Sequence, residues 1–264
     1  MRTKVSPALN GIELHALDPA IVVRGVREEA PSWRIDTGSK GDGVGMFMNR
    51  VEKQSRSVTI TFSIFTRDPL KRAQVIQAVN AWAAAGGVLT TDYRDGQALA
   101  VVCTQLPAIE NIKEWTAEFQ VTFTAYAVPF WQSIDRTQVT IAAATSGTAT
   151  MTLKETAGGK LCAIGVNGSG ATVTGLTISA GGDFIELDPP SGEGIANGET
   201  VVIGFDENDI MYIRAESTGT ARSILGYRTP ESADYIPLTY GANVLAVTSS
   251  AAMSWTLFTY GRWE

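Results

Sequence analysis

Strict alternation of polar and apolar residues is the feature that most limits how this chain can fold. From Ser57 to Ile64, and again from Trp115 to Ala125, every second side chain is apolar. A period of two places alternate side chains on opposite faces of an extended strand, so each segment is predicted to be a half-buried β-strand. The inward residues would be Val58, Ile60, Phe62 and Ile64 in the first strand, and Trp115, Ala117, Phe119, Val121 and Phe123 in the second.

One segment between these strands carries the signals of an α-helix. Asp68 can cap free N–H groups, Pro69 suits a first helical turn, and Gly86 with Gly87 would end the helix. These signals predict a helix over about residues 68–85. An apolar residue recurs at every third position, and we interpret this stripe as a surface that packs on the sheet rather than a cofactor site. The stripe consists of Leu70, Ala73, Ile76, Val79 and Trp82.

The second half of the chain is predicted to be all-β. Short β-prone runs alternate with turn formers such as Gly158-Gly159 and Asn197-Gly198. Seven short strands at this spacing indicate a β-sandwich. The predicted strands span residues 149–153, 161–166, 184–187, 200–205, 210–214, 243–247 and 254–260.

The two halves also differ in charge. Residues 1–132 carry 14 basic and 13 acidic side chains, whereas residues 133–264 carry 7 and 14, so the halves have net charges of +1 and −7. The glycine residues are also distributed unevenly, with 9 in the first half and 17 in the second. These differences predict two domains, residues 1–132 and 148–264, joined by a linker at 133–147 that is rich in Ala, Ser and Thr.

Residue types and spacing disfavour catalytic and metal-dependent functions. His15 is the single histidine, so designs that need a histidine base beside a nucleophile, or two histidines on one metal, have almost nothing to use. Cys103 and Cys162 form no CxxC pair and are expected to be reduced thiols. We interpret the acidic run 206–209 as a solvated hairpin turn rather than a calcium loop. No catalytic residue, cofactor site or metal site is predicted.

Two further patterns were weighed against enzymatic functions. The glycine-rich stretches 41–45 and 165–170 lack the Lys-Ser/Thr pair of a phosphate loop, and they are interpreted as flexible loops. Asp183, Glu186 and Asp188 lie close in sequence, but sequence does not give the carboxylate separation that glycoside hydrolysis requires. An enzyme is therefore not predicted.

Membrane and nucleic-acid functions are also disfavoured. The longest apolar run, Ala98–Cys103, is far too short to span a bilayer, and the first residues lack the apolar stretch of a signal peptide. With 21 basic and 27 acidic side chains, the chain has a net charge of −6. Such a charge argues against a surface that binds nucleic acid or anionic lipid broadly. We expect no membrane insertion, no export by the usual route and no sequence-specific nucleic-acid binding.

The order of motifs resembles the distal tail (Dit) proteins of siphophages. The first half has Gly41-Asp42-Gly43, Arg56 before the first strand, the helix ending near Trp82, then Leu89-Thr90-Thr91-Asp92 and a long strand closing at Pro129. In the second half, residues 236–243 and 259–263 are similar to the galectin-like sandwich that many of these proteins carry. The resemblance implies a mainly β fold, with an N-terminal β-barrel or sandwich-like domain that includes one α-helix, and a C-terminal galectin-like β-sandwich.

This resemblance implies a structural protein at the tip of a long non-contractile phage tail. Such a protein forms a homo-hexameric ring between the tail tube protein and the tail-associated hub or lysin protein, and the ring leaves a channel for DNA. The virion would be assembled in the cytoplasm of the host bacterium, and receptor-binding proteins or a host surface glycan would be further partners. A nearly neutral ring domain suits a channel to which DNA must not bind.

A carbohydrate-binding adhesin of the tail tip is the alternative function, and a glycosidase is a third. Aromatic side chains can stack on sugar rings, and several lie near the end of the sequence. The candidate glycan contacts are Tyr235, Tyr240 and Trp263. Trp255 and Tyr260 fall within a strand pattern and are interpreted as core residues.

Overall fold

Antiparallel β-strands make up most of the protein, which confirms the mainly β class predicted from the sequence. The structure, a computed structural model, describes residues 6–39, 46–108 and 116–263. The chain divides into two units, residues 1–131 and 132–264. The short strand β10 (Trp131–Ser133) carries the chain from the first unit into the second.

The strands of the first unit lie in the order β2-β1-β7-β8-β9-β6-β3, and β4 forms a separate hairpin with β5. The helix α1 (Pro69–Ala84) follows β6 in the chain. The strands are β1 (Ala8–Leu9), β2 (Ile12–Glu13), β3 (Ile21–Glu28), β4 (Trp33–Ser39), β5 (Met46–Lys53), β6 (Arg56–Phe65), β7 (Gly87–Thr90), β8 (Gln97–Gln105) and β9 (Thr116–Ala125).

The two alternating segments form the centre of this sheet. β6 pairs with β9 along its whole length, so that Val58 lies opposite Phe123 and Phe62 opposite Phe119. The predicted inward residues of both strands are buried, and the rings of Phe62 and Phe119 lie 5.8 Å apart. Both strand predictions are confirmed, except that Trp115 lies outside the described residues.

Local sequence signals fix both ends of α1. Asp68 Oδ1 accepts a hydrogen bond from the Leu70 N–H at 2.9 Å, so it is the predicted N-cap. Gly86, just past the helix, has a φ of +58°, a conformation that glycine adopts without steric cost. None of the helices in the described part of the chain is long and apolar enough to span a bilayer.

The buried face of α1 differs from the predicted stripe. Leu70 is 68% exposed, whereas Trp82 is buried and contacts the Phe123 ring edge to face at 5.7 Å. A helix turns about 100° per residue, so a strict repeat of three drifts around the axis, and Leu70 and Trp82 end about 120° apart. The buried residues follow a mixed spacing of three and four: Arg72, Val75, Ile76, Val79, Trp82 and Ala83.

The second unit is built mainly on a curled antiparallel sheet with strand order β15-β14-β20-β13-β16-β17-β18. β11 pairs with β20, and β12 pairs with β19. The strands are β11 (Thr137–Leu153), β12 (Gly159–Lys160), β13 (Cys162–Asn167), β14 (Leu176–Ala180), β15 (Asp183–Leu187), β16 (Thr200–Phe205), β17 (Met211–Ser217), β18 (Thr220–Ser223), β19 (Pro237–Leu238), β20 (Gly241–Thr259) and β21 (Arg262–Trp263).

The stretch 133–147, predicted to be a linker, lies largely in β11. This strand pairs with β20 from Thr137, opposite Thr259, to Leu153, opposite Gly241. Small and hydroxyl-bearing residues look like a linker when only local composition is considered, but a long-range partner strand satisfies their backbone groups here. The linker prediction is therefore wrong, and the second unit begins before residue 148.

Two strands predicted at 243–247 and 254–260 are parts of the single long strand β20. Its residues 245–249 pair with β14, and its residues 253–258 pair with β13. The register with β11 shifts between these two parts, where the partner on the other edge of β20 changes from β14 to β13. Side chains from both parts meet in one core that includes Ile178, Ile203 and Trp255.

Gly165 lies in β13, although residues 165–170 were interpreted as a flexible loop. A Cβ at Gly165 would lie 2.4 Å from Cζ3 of Trp255, so the tryptophan ring occupies the space where a side chain would project. Asn167, also in β13, donates from its amide to the carbonyls of Ala171 and Ile195. The other glycine-rich stretch, 41–45, lies outside the described residues.

Candidate functional site

An open cavity of about 270 Å³ lies in the second unit beside the hairpin formed by β16 and β17. Charged side chains, two aromatic rings and three apolar side chains line it. The lining residues are Lys160, Asp209, Arg228 and Asp234, then Phe205 and Tyr235, and finally Ile210, Met211 and Leu225.

The acidic run 206–209 forms the turn of this hairpin, which confirms the hairpin interpretation. Asp206 Oδ1 accepts hydrogen bonds from the backbone N–H groups of Asn208 and Ile210, both at 2.9 Å. Asp209 has a φ of +63°, a left-handed conformation that aspartate tolerates better than most residues.

Asp209 joins three distant parts of the sequence. Lys160 Nζ lies 2.7 Å from Asp209 Oδ2, and Nη2 of Arg262 lies 2.7 Å from Asp209 Oδ1. The side chains of Lys160 and Arg262 are each only 15% exposed. The two cations and one carboxylate form a largely buried group with one net positive charge.

Two aromatic rings enclose the Lys160 ammonium group. Its Nζ lies 4.6 Å from the centroid of Phe205 and 4.7 Å from that of Tyr235, within the range of cation–π attraction. At the outer edge of the cavity, Nη2 of Arg228 donates to Asp234 Oδ1 at 2.9 Å. The groups around the cavity are therefore suited to binding a ligand with both polar and apolar parts.

The chemistry near the cavity favours binding rather than nucleophilic attack. Burial raises the pKa of the Cys162 thiol to about 11, although the charges of Arg262 and Lys160 act in the opposite direction. The thiol is therefore almost entirely protonated near neutral pH, and thiolate is the nucleophilic form. Within the described residues, no group of three or more His, Cys, Asp or Glu side chains is placed to hold a metal ion.

The three predicted glycan contacts do not lie at one site. Tyr235 lines the cavity, whereas Tyr240, 70% exposed, does not. Trp263 is half-buried, and its Nε1 donates to Oγ of Ser133 at 3.1 Å. Of the two aromatic residues interpreted as core, Trp255 is buried, but Tyr260 is exposed and lies edge-on to a neighbouring ring.

Sequence reasoning did not identify the charged residues of the cavity. Lys160, Asp209 and Arg262 are about fifty positions apart in turn, and no motif connects them. The sequence around Asp209 indicates only a solvated turn. Chain folding alone brings these residues together, so no local signal could have identified the group.

Of the carboxylates considered for glycoside hydrolysis, Asp183 and Asp188 are too far apart to act as a pair. Asp183 and Asp188 are five positions apart along extended chain, which separates them by about 16 Å. Glycosidases hold their two carboxyl groups within about 10 Å. Glu186 lies between them but accepts a hydrogen bond from Oγ1 of Thr229 at 3.4 Å.

A second charged cluster lies within the first unit. Glu28 accepts hydrogen bonds from Nε of Arg94 at 3.2 Å and from its Nη2 at 2.9 Å, and Nη1 of Arg56 donates to it at 3.4 Å. Burial alone would raise the pKa of Glu28, but the hydrogen bonds and charge of Arg94 hold it below the ordinary value of 4.5. Since all three side chains are largely buried, this cluster is interpreted as structural.

Comparisons with known proteins identify the fold. No family model and no curated protein matches the chain. Among solved structures, the chain is similar to the Dit (gp 19.1) protein of phage SPP1, a hub protein of the adsorption apparatus in phages that infect Gram-positive bacteria. The TM-score is 0.71 at 12% sequence identity, and the match covers 97% of this chain and 98% of that one. A chain of the phage p2 baseplate in its strontium-activated conformation has a TM-score of 0.51 at 10% identity, covering 96% and 97%. The chain therefore has the fold of phage Dit proteins along nearly its whole length, which confirms, at the level of the fold, the resemblance found in its sequence.

Proposed function

We propose that the protein is a structural component of the tip of a long non-contractile phage tail. Six copies form a ring between the tail tube protein and the tail-associated hub or lysin protein, and the ring leaves a channel for DNA. One observation carries this proposal: the shared fold with SPP1 Dit, a hub protein, covers 97% of this chain and 98% of that one. The likeness therefore includes both units rather than one widespread domain.

The edge of the first sheet supports ring formation by residues 1–132. Among the described strands, β3 pairs only with β6, so its other edge presents backbone N–H and C=O groups. Val22, on this strand, is exposed. Unpaired sheet edges readily pair with another chain, and head-to-tail contacts that close produce rings.

The outer face of the β6–β9 pair supports a channel that does not retain DNA. Hydroxyl groups meet across these strands, with Ser57 and Thr124 Oγ atoms 3.3 Å apart and those of Thr59 and Thr122 3.2 Å apart. The outward positions of these two strands include no lysine or arginine, and a cation beside them is Arg24 of β3, whose Nε donates to Oγ of Ser63 at 2.9 Å. DNA affinity depends strongly on such cations, so a hydroxyl-rich face would let DNA pass.

The second unit would serve as a galectin-like platform for receptor-binding proteins at the virion tail tip. A carbohydrate-binding adhesin is the second candidate function. The exposed ring of Tyr235 at a cavity with charged walls favours it, because carbohydrate sites combine aromatic rings with polar groups. The two functions are compatible, since a ring of hub subunits can carry binding units. No catalytic role is proposed.

Light scattering of the purified chain over a range of concentrations tests the ring. We expect a hexamer of about 170 kDa, six times the 28.1 kDa chain, or two stacked rings. Negative-stain images should show six-fold rings.

Val22→Asp would place six charges along the proposed edge contacts and should yield monomers, whereas Val244→Asp, at an exposed valine of the second unit, should leave the ring intact. A wild-type chain that stays monomeric at all concentrations, and also with tail partners present, would contradict the hub function.

A further inference from the structure

We propose that the cavity beside the β16–β17 hairpin binds an acidic saccharide, a sugar ring that bears a carboxylate or phosphate group. This inference deepens the second candidate function, that of an adhesin, and it does not depend on the ring.

The distribution of positive charge in the second half is the first argument. Residues 133–264 carry only 7 basic side chains and a net charge of −7. Three of these seven, Lys160, Arg228 and Arg262, lie at the cavity or in its ion-paired group. The four charged side chains that line the cavity sum to zero, and Arg262, which binds Asp209 without lining the cavity, gives the whole group one net positive charge inside an acidic unit. The positive charge of this group attracts an anion, whereas the acidic surface of the rest of the unit repels one.

The hydrogen-bonding capacity of these cations is the second argument. Two hydrogen bonds join Lys160 Nζ to Asp209, at 2.7 Å to Oδ2 and 3.3 Å to the backbone oxygen, while an ammonium group has three N–H donors. Both carboxylate oxygens of Asp209 are already engaged. The third Lys160 donor is not used in these bonds to Asp209, and the residue lines the cavity.

Arg228 can exchange its present partner for a ligand. The carboxylate that it binds, Asp234, is 89% exposed. Ion pairs in solvent contribute little to stability, so a bound carboxylate or phosphate can replace Asp234 at small cost. A planar guanidinium group also matches the geometry of both anions.

Exposed apolar side chains at the cavity suit the apolar part of the ligand. The Tyr235 ring is 44% exposed, and Ile210 and Leu225 are also exposed at the cavity. A sugar ring has a face of C–H groups that stacks on aromatic rings and an edge of hydroxyl groups that hydrogen-bond to charged side chains. The volume of about 270 Å³ lies just below the usual range of small-molecule sites, about 300 to 1,000 Å³, so the ligand is one sugar unit rather than a long oligosaccharide.

Calorimetric titration of the full chain tests this inference. The probes are D-glucuronate and glucose 6-phosphate, with glucose as the neutral control and inorganic phosphate as the anion control. We expect at least one acidic sugar to bind about tenfold more tightly than glucose and than phosphate. Added NaCl should weaken binding, because part of the affinity is electrostatic. The preferred probe identifies the acidic group as carboxylate or phosphate.

Matched variants locate the site. Tyr235→Ala and Arg228→Gln should each lower the affinity about tenfold, the usual effect of losing a stacking ring or a charged hydrogen bond. Tyr240→Ala and Arg214→Gln change an exposed tyrosine and an exposed arginine of the same unit outside the cavity, and they should bind as the wild type does.

Three results would overturn the inference: no acidic sugar binds, glucose or phosphate binds as tightly as the acidic sugars, or the control variants weaken binding as much as the cavity variants. Circular dichroism confirms that each variant is folded. The oligomeric state is measured on the same samples, so failure of the saccharide site with an intact ring would refute the site and leave the hub function standing.

Discussion

The ammonium group of Lys160 lies 2.7 Å from the carboxylate of Asp209, although the two residues are 49 positions apart in the chain. Arg262 binds the other oxygen of the same carboxylate. One hairpin turn thus binds both β12, which lines the candidate binding cavity through Lys160, and β21. This relationship is the basis of the first prediction.

Asp209→Asn should destabilise the protein by about 2 kcal/mol. Lys160 and Arg262 are largely buried, and they would lose the charge that compensates theirs while only a neutral amide remains. Chemical denaturation measures the change. Glu207→Gln, at an exposed position in the same turn, is the control and should alter the free energy of unfolding by less than about 0.5 kcal/mol. If both variants changed the free energy of unfolding equally, the ion-paired group of Lys160, Asp209 and Arg262 would make no specific contribution to stability.

Trp82→Ala should lower the free energy of unfolding by about 3 to 5 kcal/mol, because it empties a buried site that packs on Phe123. Leu70→Ala removes another member of the predicted stripe, but its side chain is exposed, so the change should stay below about 0.5 kcal/mol. Thermal melts of both variants distinguish the faces of α1. A large loss for Leu70→Ala would mean that the three-residue stripe is the buried face after all.

Gly165→Ala should destabilise the protein by about 1 to 3 kcal/mol. The added methyl group would overlap the Trp255 ring, which has to shift within a packed core. Tryptophan fluorescence should report the displaced ring, and denaturation the loss of stability. Gly168→Ala is the matched control, since no heavy atom lies within 4 Å of the Cβ that it would add. If both variants melt like the wild type, Trp255 has room that the structure does not show.

The free energy of unfolding should fall as the pH drops below 4.5, partly through Glu28. Its pKa is lower in the folded protein than the ordinary 4.5, so the folded state binds fewer protons than the unfolded state. The stabilisation from Glu28 is complete above 4.5 and disappears as the pH falls through the lowered value. Glu28→Gln should flatten this part of the profile. If the free energy of unfolding falls with pH equally steeply in the wild type and the variant, other carboxylates cause the acid sensitivity.

The Cys162 thiol should react with iodoacetamide at pH 8 only after unfolding. Burial raises its pKa to about 11, so roughly one molecule in a thousand carries the thiolate at this pH. Mass spectrometry of samples labelled with and without denaturant measures the difference. Rapid labelling of Cys162 in the native protein would show that β13 opens readily.

Local signals predicted those elements whose form depends on neighbouring residues. These signals are the alternation in β6 and β9, the Asp68 cap and the glycines after α1. Each depends only on residues a few positions away, and the structure has each feature where the sequence indicated. The sequence-based predictions were wrong where pairing with a strand far away in the chain determines the structure. The segment 133–147 has the composition of a linker, yet β20 holds most of it in a sheet.

The amino-acid sequence by itself determined the mainly β class, the helix α1 and the resemblance to phage tail proteins, because patterns of polarity and turn residues are encoded locally. Only the tertiary structure decided which face of α1 is buried, that β20 pairs with both β14 and β13, and that Lys160, Asp209 and Tyr235 meet at one cavity. Those outcomes depend on strand pairing and packing between residues far apart in the chain. Their energies come from contacts that exist only once the sheets have formed.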